Sequence, residues 1–526
     1  MACGRAWRTG LGWLALCALP ATAWAVSGDV PVGGADLKIA PPLPVWPSDY
    51  ETITEHRPAF RLNGRYQATR YRVELARDAN FTSPITLTAR VVIDSGITPV
   101  AVAPYTGEPL ADGQYFWRAF AGDDDGFWTP PANYRTFFVA SEPDRIRVPA
   151  EVVHPRLILS ERERDAFKKR VETSLRLSPG WQYIQNAALS ALEAVPPDED
   201  YARAAKVQHG NYSIAATWYH RHLSDVAFVA FVTGDERLAA KGVEMLMAAC
   251  AYERWLGPSF LDTAHFDPPW NSALETAMMT TAVATGYDLL YPYLTDEQRA
   301  RVREALVEKG IRPLITDWAD PVTASRLPRH QLPTGNWVMV CSTSAGVGAL
   351  ALLGEHPEAP EWVRIVRNRV RAWLRDRGGD WFVDNPWVHD RPTPIPVIGP
   401  SEPNFGIDSG YKESIGYMNY AMQYVCCFAD GLRRMTGENL FLEVPPKLLD
   451  HAAWSILAWP EDGQVRQSLV PFGDCGTTAA FPLLYAALTR HRRDPLAAWL
   501  AERVVPVPQD IRSLVWLDES VPGSPP

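Results

Sequence analysis

The period of the hydrophobic positions changes once along the chain. Between residues 27 and 145 the period is two. In RYRVELARDANF, Tyr71, Val73 and Leu75 fall on one face, GQYFWRAFAG and YRTFFVA alternate in the same way, and Asp112-Gly113 marks a turn. Short strands separated by turn signals predict a small β-sandwich over residues 27–145. From HPRLILSERERDAFKKRV onward the period is helical. Ser160 with Glu163, and Thr295 with Gln298, have capping-box spacing. Apolar helices end at Thr233-Gly234-Asp235, at Gly354-Glu355 and at Thr436-Gly437-Glu438, and another helix follows each time. This punctuation predicts helical hairpins over residues 150–510, arranged as an α/α toroid or a helical solenoid. The hairpins are too unlike one another for a strict solenoid. The last stretch, RSLVWLDESVPGSPP, reads as an extended lead into something further, so residues 511–526 are set apart as a tail.

One segment combines helical spacing with unusual chemistry. In SGYKESIGYMNY, Tyr417 and Tyr420, followed by Tyr424, form a stripe at helical pitch, with Glu413 one turn before Tyr417. Stripes of this kind are usually core. This one carries hydroxyls, begins with Lys412 and Glu413, and follows a loop rich in Pro and Gly. Packing accounts for most of its face, and Tyr417 is the position expected to project into a cleft.

Composition narrows the function classes. The chain has 526 residues, 47% hydrophobic and 21% charged, which suits a globular protein with a large core. Its net charge of −10 and lack of a long basic run argue against nucleic acid as a partner. The 20 tryptophans and 19 tyrosines suit a carbohydrate groove, and equally a large core. At the N-terminus, Arg5 and Arg8 precede an apolar stretch from Leu11 to Leu19 and the cleavage pattern Ala23-Trp24-Ala25. Residues 1–25 therefore read as a signal peptide, too short to span a bilayer, and the mature chain is expected in the periplasm or secreted, with no membrane contact after cleavage. Cys250, Cys341, Cys426, Cys427 and Cys475 show no C-x-x-C spacing and read mainly as buried thiols, with no zinc site.

HPRLIL, VTGDERL and ATGYDLLYPYLTDEQRARVREAL together resemble the helical domain of the heparinase II/III-like polysaccharide lyases, a superfamily that includes oligoalginate lyases and dermatan sulfate epimerase. The pair RHQLPTGNW and DSGYKESIGYMNY is the most specific part, through Asp408, Glu413, Tyr417 and Tyr420. The β-strand region loosely resembles the fibronectin-type modules that precede some secreted polysaccharide-degrading domains. The resemblance implies a mainly α chain, with a fibronectin-like β-sandwich followed by an incomplete α/α toroid. It also implies a large β domain that closes the cleft, here missing or a separate chain. Ser414 stands where the family has Gly, and the His330 string is longer than the family's.

What the resemblance implies chemically is β-elimination on a uronic-acid polymer, an acidic polysaccharide or oligosaccharide, without a cofactor or metal. A donor must neutralise the substrate carboxylate, a base must remove the C5 proton, and an acid must protonate the departing O4. Asn336, opening a helix whose N-terminus favours an anion, fits the first task, although the same position is compatible with a simple N-cap. His330 fits the base, and Tyr417 fits the acid. Glu413 would orient the tyrosine or a cation, and Tyr420, Trp337, Arg329 and Lys412 would contact substrate. Weaker polar candidates are His209, His220, His222, His265, Asn271, His389 and Asp474. The alternatives are a uronate C5-epimerase, a non-catalytic glycan-binding protein, and a glycoside hydrolase. A hydrolase would need two carboxylates across a cleft. Asp408 and Glu413 lie too close in sequence for that role, and Asp267 and Asp380 carry no motif.

Overall fold

The computed structural model describes residues 39–526 apart from 66–67, 94–98, 204–209, 258–270, 325–334, 384–396, 401, 407–408, 458–481 and 505–506. The expected signal peptide lies outside the described residues.

Eight strands come first: β1 Leu43–Trp46, β2 Glu51–Ile53, β3 Ala59–Asn63, β4 Arg70–Ala76, β5 Ile85–Ile93, β6 Val100–Pro104, β7 Gly113–Gly122 and β8 Arg135–Val139. They form one sheet in the order β1-β3-β6-β5-β4-β7-β8-β2, antiparallel except for β2 beside β8. In β4, Tyr71, Val73 and Leu75 are buried, as the alternation requires. The shape depends on β5. Ile85–Ala89 pairs with β4, Arg90–Ile93 pairs with β6, and the register shifts between Val91 and Ile93. Such an irregularity increases twist and bends a strand. The sheet curls until Phe60 of β3 meets Trp117 of β7 at 5.1 Å and Phe137 of β8 at 5.8 Å. The two layers expected of a sandwich are therefore the two ends of one curled sheet, because one long strand serves both.

The helices are α1 Glu161–Thr173, α2 Ser178–Ser190, α3 Gly210–Thr233, α4 Glu236–Ala251, α5 Leu274–Leu290, α6 Asp296–Ala305, α7 Asn336–Ala351, α8 Ala359–Leu374, α9 Ile415–Thr436, α10 Leu448–Leu457, α11 Pro482–Arg492, α12 Pro495–Val504 and α13 Ile511–Trp516. The chain is mainly α with an N-terminal β region. Helices α3, α5, α7, α9 and α11 pack side by side in that order, and α13 packs on α11 and touches α2 and α3. Among the described residues no helix is long and apolar enough to cross a membrane. Where an extended tail was expected, Ile511–Trp516 is helical and buried. Asp510 accepts the N–H groups of Arg512 and Ser513 and so starts a helix there.

Helix α7 is buried on all sides, as its apolar and small residues require. At Gly346 a Cβ would lie 2.5 Å from the Phe428 ring, so glycine sets the approach of α9. Helix α8 is amphipathic and arginine-rich. Arg364 pairs with Glu361 at 2.6 Å, Arg371 with Glu438 at 2.7 Å and with Glu443 at 3.0 Å, and Arg367 with Glu438 and Asp144. Beyond the helix, Arg375 pairs with Glu443 at 2.8 Å and Arg377 with Asp49 of the sheet region at 3.2 Å. A buried pair, Arg135 of β8 with Asp380 at 2.8 Å, joins the sheet to the same segment.

The HPRL stretch is locked between two acids. Asp288, late in α5, accepts from His154 Nδ1 at 2.7 Å and from the backbone N–H groups of Arg156 and Leu157 at 3.0 and 2.8 Å. Glu355, just past α7, accepts from His154 Nε2 at 2.8 Å, Arg156 Nη2 at 3.3 Å and the Tyr287 hydroxyl at 2.6 Å. An imidazole that donates through both nitrogens is the cation. Burial opposes that charge, but the bonds to Asp288 and Glu355 outweigh it and hold the His154 pKa above its ordinary value. Glu355 is held below its ordinary range, because the bonds from His154 and Tyr287 outweigh its burial.

His154→Gln removes a buried cation from between two carboxylates and should cost about 3 kcal/mol of stability. The raised pKa makes the contribution of His154 complete below about pH 6.5, and it is lost as pH climbs through the folded value. Denaturant titrations should therefore show the gap between wild type and His154→Gln widest at mildly acidic pH and closing toward alkaline pH. A gap independent of pH would refute the cationic assignment.

Candidate functional site

The site lies where α7 and α9 begin. Each helix starts from a residue of positive φ: Gly335 at φ 85°, ψ 158° and Ser414 at φ 97°, ψ 164°. This backbone region is open to glycine and strained for any other residue. Gly335 occupies the cap position, so Asn336 is the first helical residue and not the N-cap. Ser414 carries the strain that a glycine would avoid, and its Oγ is buried without a hydrogen bond among the described residues.

Glu413 ties the two helix starts together. Its Oε2 accepts from Asn336 N–H at 2.7 Å, from Asn336 Nδ2 at 3.2 Å and from the Tyr411 hydroxyl at 2.6 Å. The helix N–H that the sequence reading reserved for a substrate carboxylate is thus engaged by Glu413. Nδ2 has a second hydrogen, and Asn336 Oδ1 is buried without a hydrogen bond among the described residues. Tyr411 packs its ring on Trp373 and Phe405, each 5.4 Å away. Burial, then the nearby Glu413 charge, push its phenol far above the ordinary range, so it remains a neutral donor. Trp373 Nε1 in turn donates to Gly335 O at 3.2 Å. The sequence reading gave Tyr411 no role. Its only signal was its place two residues before Glu413.

The remaining expected residues are spread around this contact. Tyr417 and Tyr420 are half-buried against the helical core, and the Tyr420 ring meets Tyr424 at 5.7 Å. Trp337 is half-buried, with its ring 5.9 Å from Trp318. Lys412 is half-buried. Burial lowers its pKa, with Asp376 and Glu413 opposing. Asp376 is pushed up to about 6 by burial, with Lys412 opposing, and it accepts from Asn404 N–H at 3.0 Å. His330 and Arg329 lie outside the described residues, as do Asp408, Asp267, His209, His265, His389 and Asp474.

Of the weaker candidates, His220 lies with its ring 6.0 Å from Tyr424. Burial and then Arg512 push its pKa down to about 4, so it is neutral near pH 7. His222 packs on Trp218 at 4.8 Å and is likewise pushed down to about 4, by burial and then Arg221. The backbone N–H of Asn271 donates to Asp317 at 2.8 Å. Asp380 is committed to Arg135. Among the described residues no cluster of His, Cys, Asp and Glu could hold a metal, and Cys250, Cys341, Cys426 and Cys427 are free thiols.

Two substitutions test this geometry. Ser414→Gly should raise unfolding free energy by about 1 kcal/mol, the relief of strain exceeding the extra chain entropy of glycine. A destabilised variant would show that the backbone is not strained there. Tyr411→Phe removes one donor from Glu413 and should cost about 1.5 kcal/mol. An unchanged denaturation midpoint would show that this bond contributes nothing.

No family model matches the chain, and neither does any curated protein sequence. Among solved structures it is similar to an alginate lyase from Bacteroides ovatus, with a TM-score of 0.45 and 10% identity over 70% of this chain and 100% of that one. It is also similar to a family 76 glycoside hydrolase from a bovine Bacteroides thetaiotaomicron strain, with a TM-score of 0.21 and 10% identity over 79% of this chain and 89% of that one. Both scores are low, and neither likeness assigns this chain an activity.

Proposed function

We propose that the helical region is an α/α toroid of the heparinase II/III-like kind, and that its groove cleaves a uronic-acid polysaccharide by β-elimination. The observation that supports this reading is the direct contact between Asn336 and Glu413, 77 residues apart. These belong to the two segments on which the sequence resemblance rests. In the proposed reaction Asn336 gives its second amide hydrogen to the substrate carboxylate and lowers the cost of charge developing there. A base, His330 or a tyrosine for one uronate epimer, removes the C5 proton. The electron pair left behind forms the C4–C5 double bond, and the C4–O4 bond breaks. Tyr417 protonates the departing O4. Glu413 is a positioning residue that holds the amide of Asn336 at a fixed angle, with Tyr411 bracing it. Tyr420, Trp337, Lys412 and Arg329 flank the chain of sugars. The N-terminal segment directs export to the periplasm or beyond.

The assay is the ultraviolet absorbance of the unsaturated product on alginate, heparin-type and chondroitin-type polymers. Tyr417→Phe should abolish turnover with the fold intact, because it removes one hydroxyl and almost no volume. Asn336→Ala should lower kcat by about a hundredfold. Silence on every uronate polymer would sink the lyase reading, and C5 inversion without an unsaturated product would replace it with an epimerase. A fully active Tyr417→Phe would remove that residue from the mechanism.

A further inference from the structure

A cleft of about 220 Å³ separates the sheet from α8, and none of its lining residues belongs to the site around Asn336. Trp46 of β1 forms one wall, and Ile365, Asn368 and Arg369 of α8 form the other. Arg369 differs from its neighbours. Arg364, Arg367, Arg371, Arg375 and Arg377 each pair with a carboxylate. Arg369 is 5% exposed, and its Nε and Nη2 have no hydrogen bond among the described residues. These two N–H groups form the edge of a guanidinium that a carboxylate engages through two parallel bonds. Leaving that edge empty and out of water is unfavourable. The acids close by do not fill it. Asp320 has the largest electrostatic influence on Arg369, yet its Oδ1 accepts the Val322 N–H at 2.9 Å. Arg135, on the same cleft, is already paired with Asp380.

We propose that this cleft binds one small carboxylate-bearing molecule, with its carboxylate on the Nε–Nη2 edge of Arg369 and its apolar face against Trp46 and Ile365. Asp320, Glu51 and Glu361 line the same space and oppose a second negative charge on the ligand. The occupant is therefore a monocarboxylate and not a polyanion, and this site is separate from any polymer groove. The chemistry fits either an aromatic acid or a single sugar acid, since both present a ring face beside one carboxylate.

Calorimetric titration of the full chain with benzoate and with glucuronate separates these two sources, with glucose and inorganic phosphate as controls. At least one of the two acids should bind with one-to-one stoichiometry at millimolar concentration or below, and neither control should. Arg369→Gln should weaken binding by about tenfold or more. Arg369→Lys should not restore it, because an ammonium has no two-pronged edge. Ile365→Trp fills the cleft and leaves Arg369 in place, so it should also remove binding, and it decides the matter alone if Arg369→Gln does not fold. Binding by neither acid overturns the proposal. So does equal binding of phosphate, or undiminished affinity in a folded Arg369→Gln or Ile365→Trp protein.

Discussion

A carboxylate taken out of water must find donors, and this requirement organises both the scaffold and the site. Asp288 and Glu355 meet it by clamping the HPRL stretch against the ends of α5 and α7. Glu413 meets it by drawing the first turn of α7 against the segment that opens α9. In each place the acid joins elements far apart in sequence, and the cost of an unsatisfied charge makes the junction specific. Helix α7 lies between the two, with Glu413 at its start and Glu355 just past its end. Its rigidity follows from being fixed at both termini as well as buried throughout.

Local features were legible in the sequence because their partners are local. Thr295 and Gln298 make both reciprocal bonds of a capping box, and Glu163 accepts from the N–H and hydroxyl of Ser160. Asp235 caps α4 through the N–H groups of Arg237 and Leu238, as its place after Thr233-Gly234 suggested. The same punctuation misled at the other two junctions. Glu355 turns inward to His154, and Glu438 pairs with Arg367 and Arg371 instead of starting a helix. Sequence spacing marks an acid near a turn without saying which distant cation it faces.

The site was legible in part for the same reason. Helical pitch placed Tyr417, Tyr420 and Tyr424 on one stripe. It could not place Glu413 on Asn336, because that contact depends on how α7 and α9 are set side by side. Nor could residue type show that position 414 needs a backbone conformation reserved for glycine. The departure from the family's glycine therefore looked like a loss of resemblance, when the geometry at that position is still the one glycine prefers. The sheet poses the same problem on a larger scale. Alternation identifies strands, but a register shift inside β5 decides whether two layers are separate or continuous.

The arginine row of α8 has one further consequence. Its charges are balanced by acids from other parts of the chain, among them Glu51 and Asp144 on the N-terminal side. Arg135 and Asp380 add a cross-link of opposite sign. The β region thus acts as a counterion for the helical region. A protein trimmed of its first strands would expose a polycationic ridge on an otherwise acidic molecule, and would acquire an adhesiveness toward anionic surfaces that the intact chain conceals.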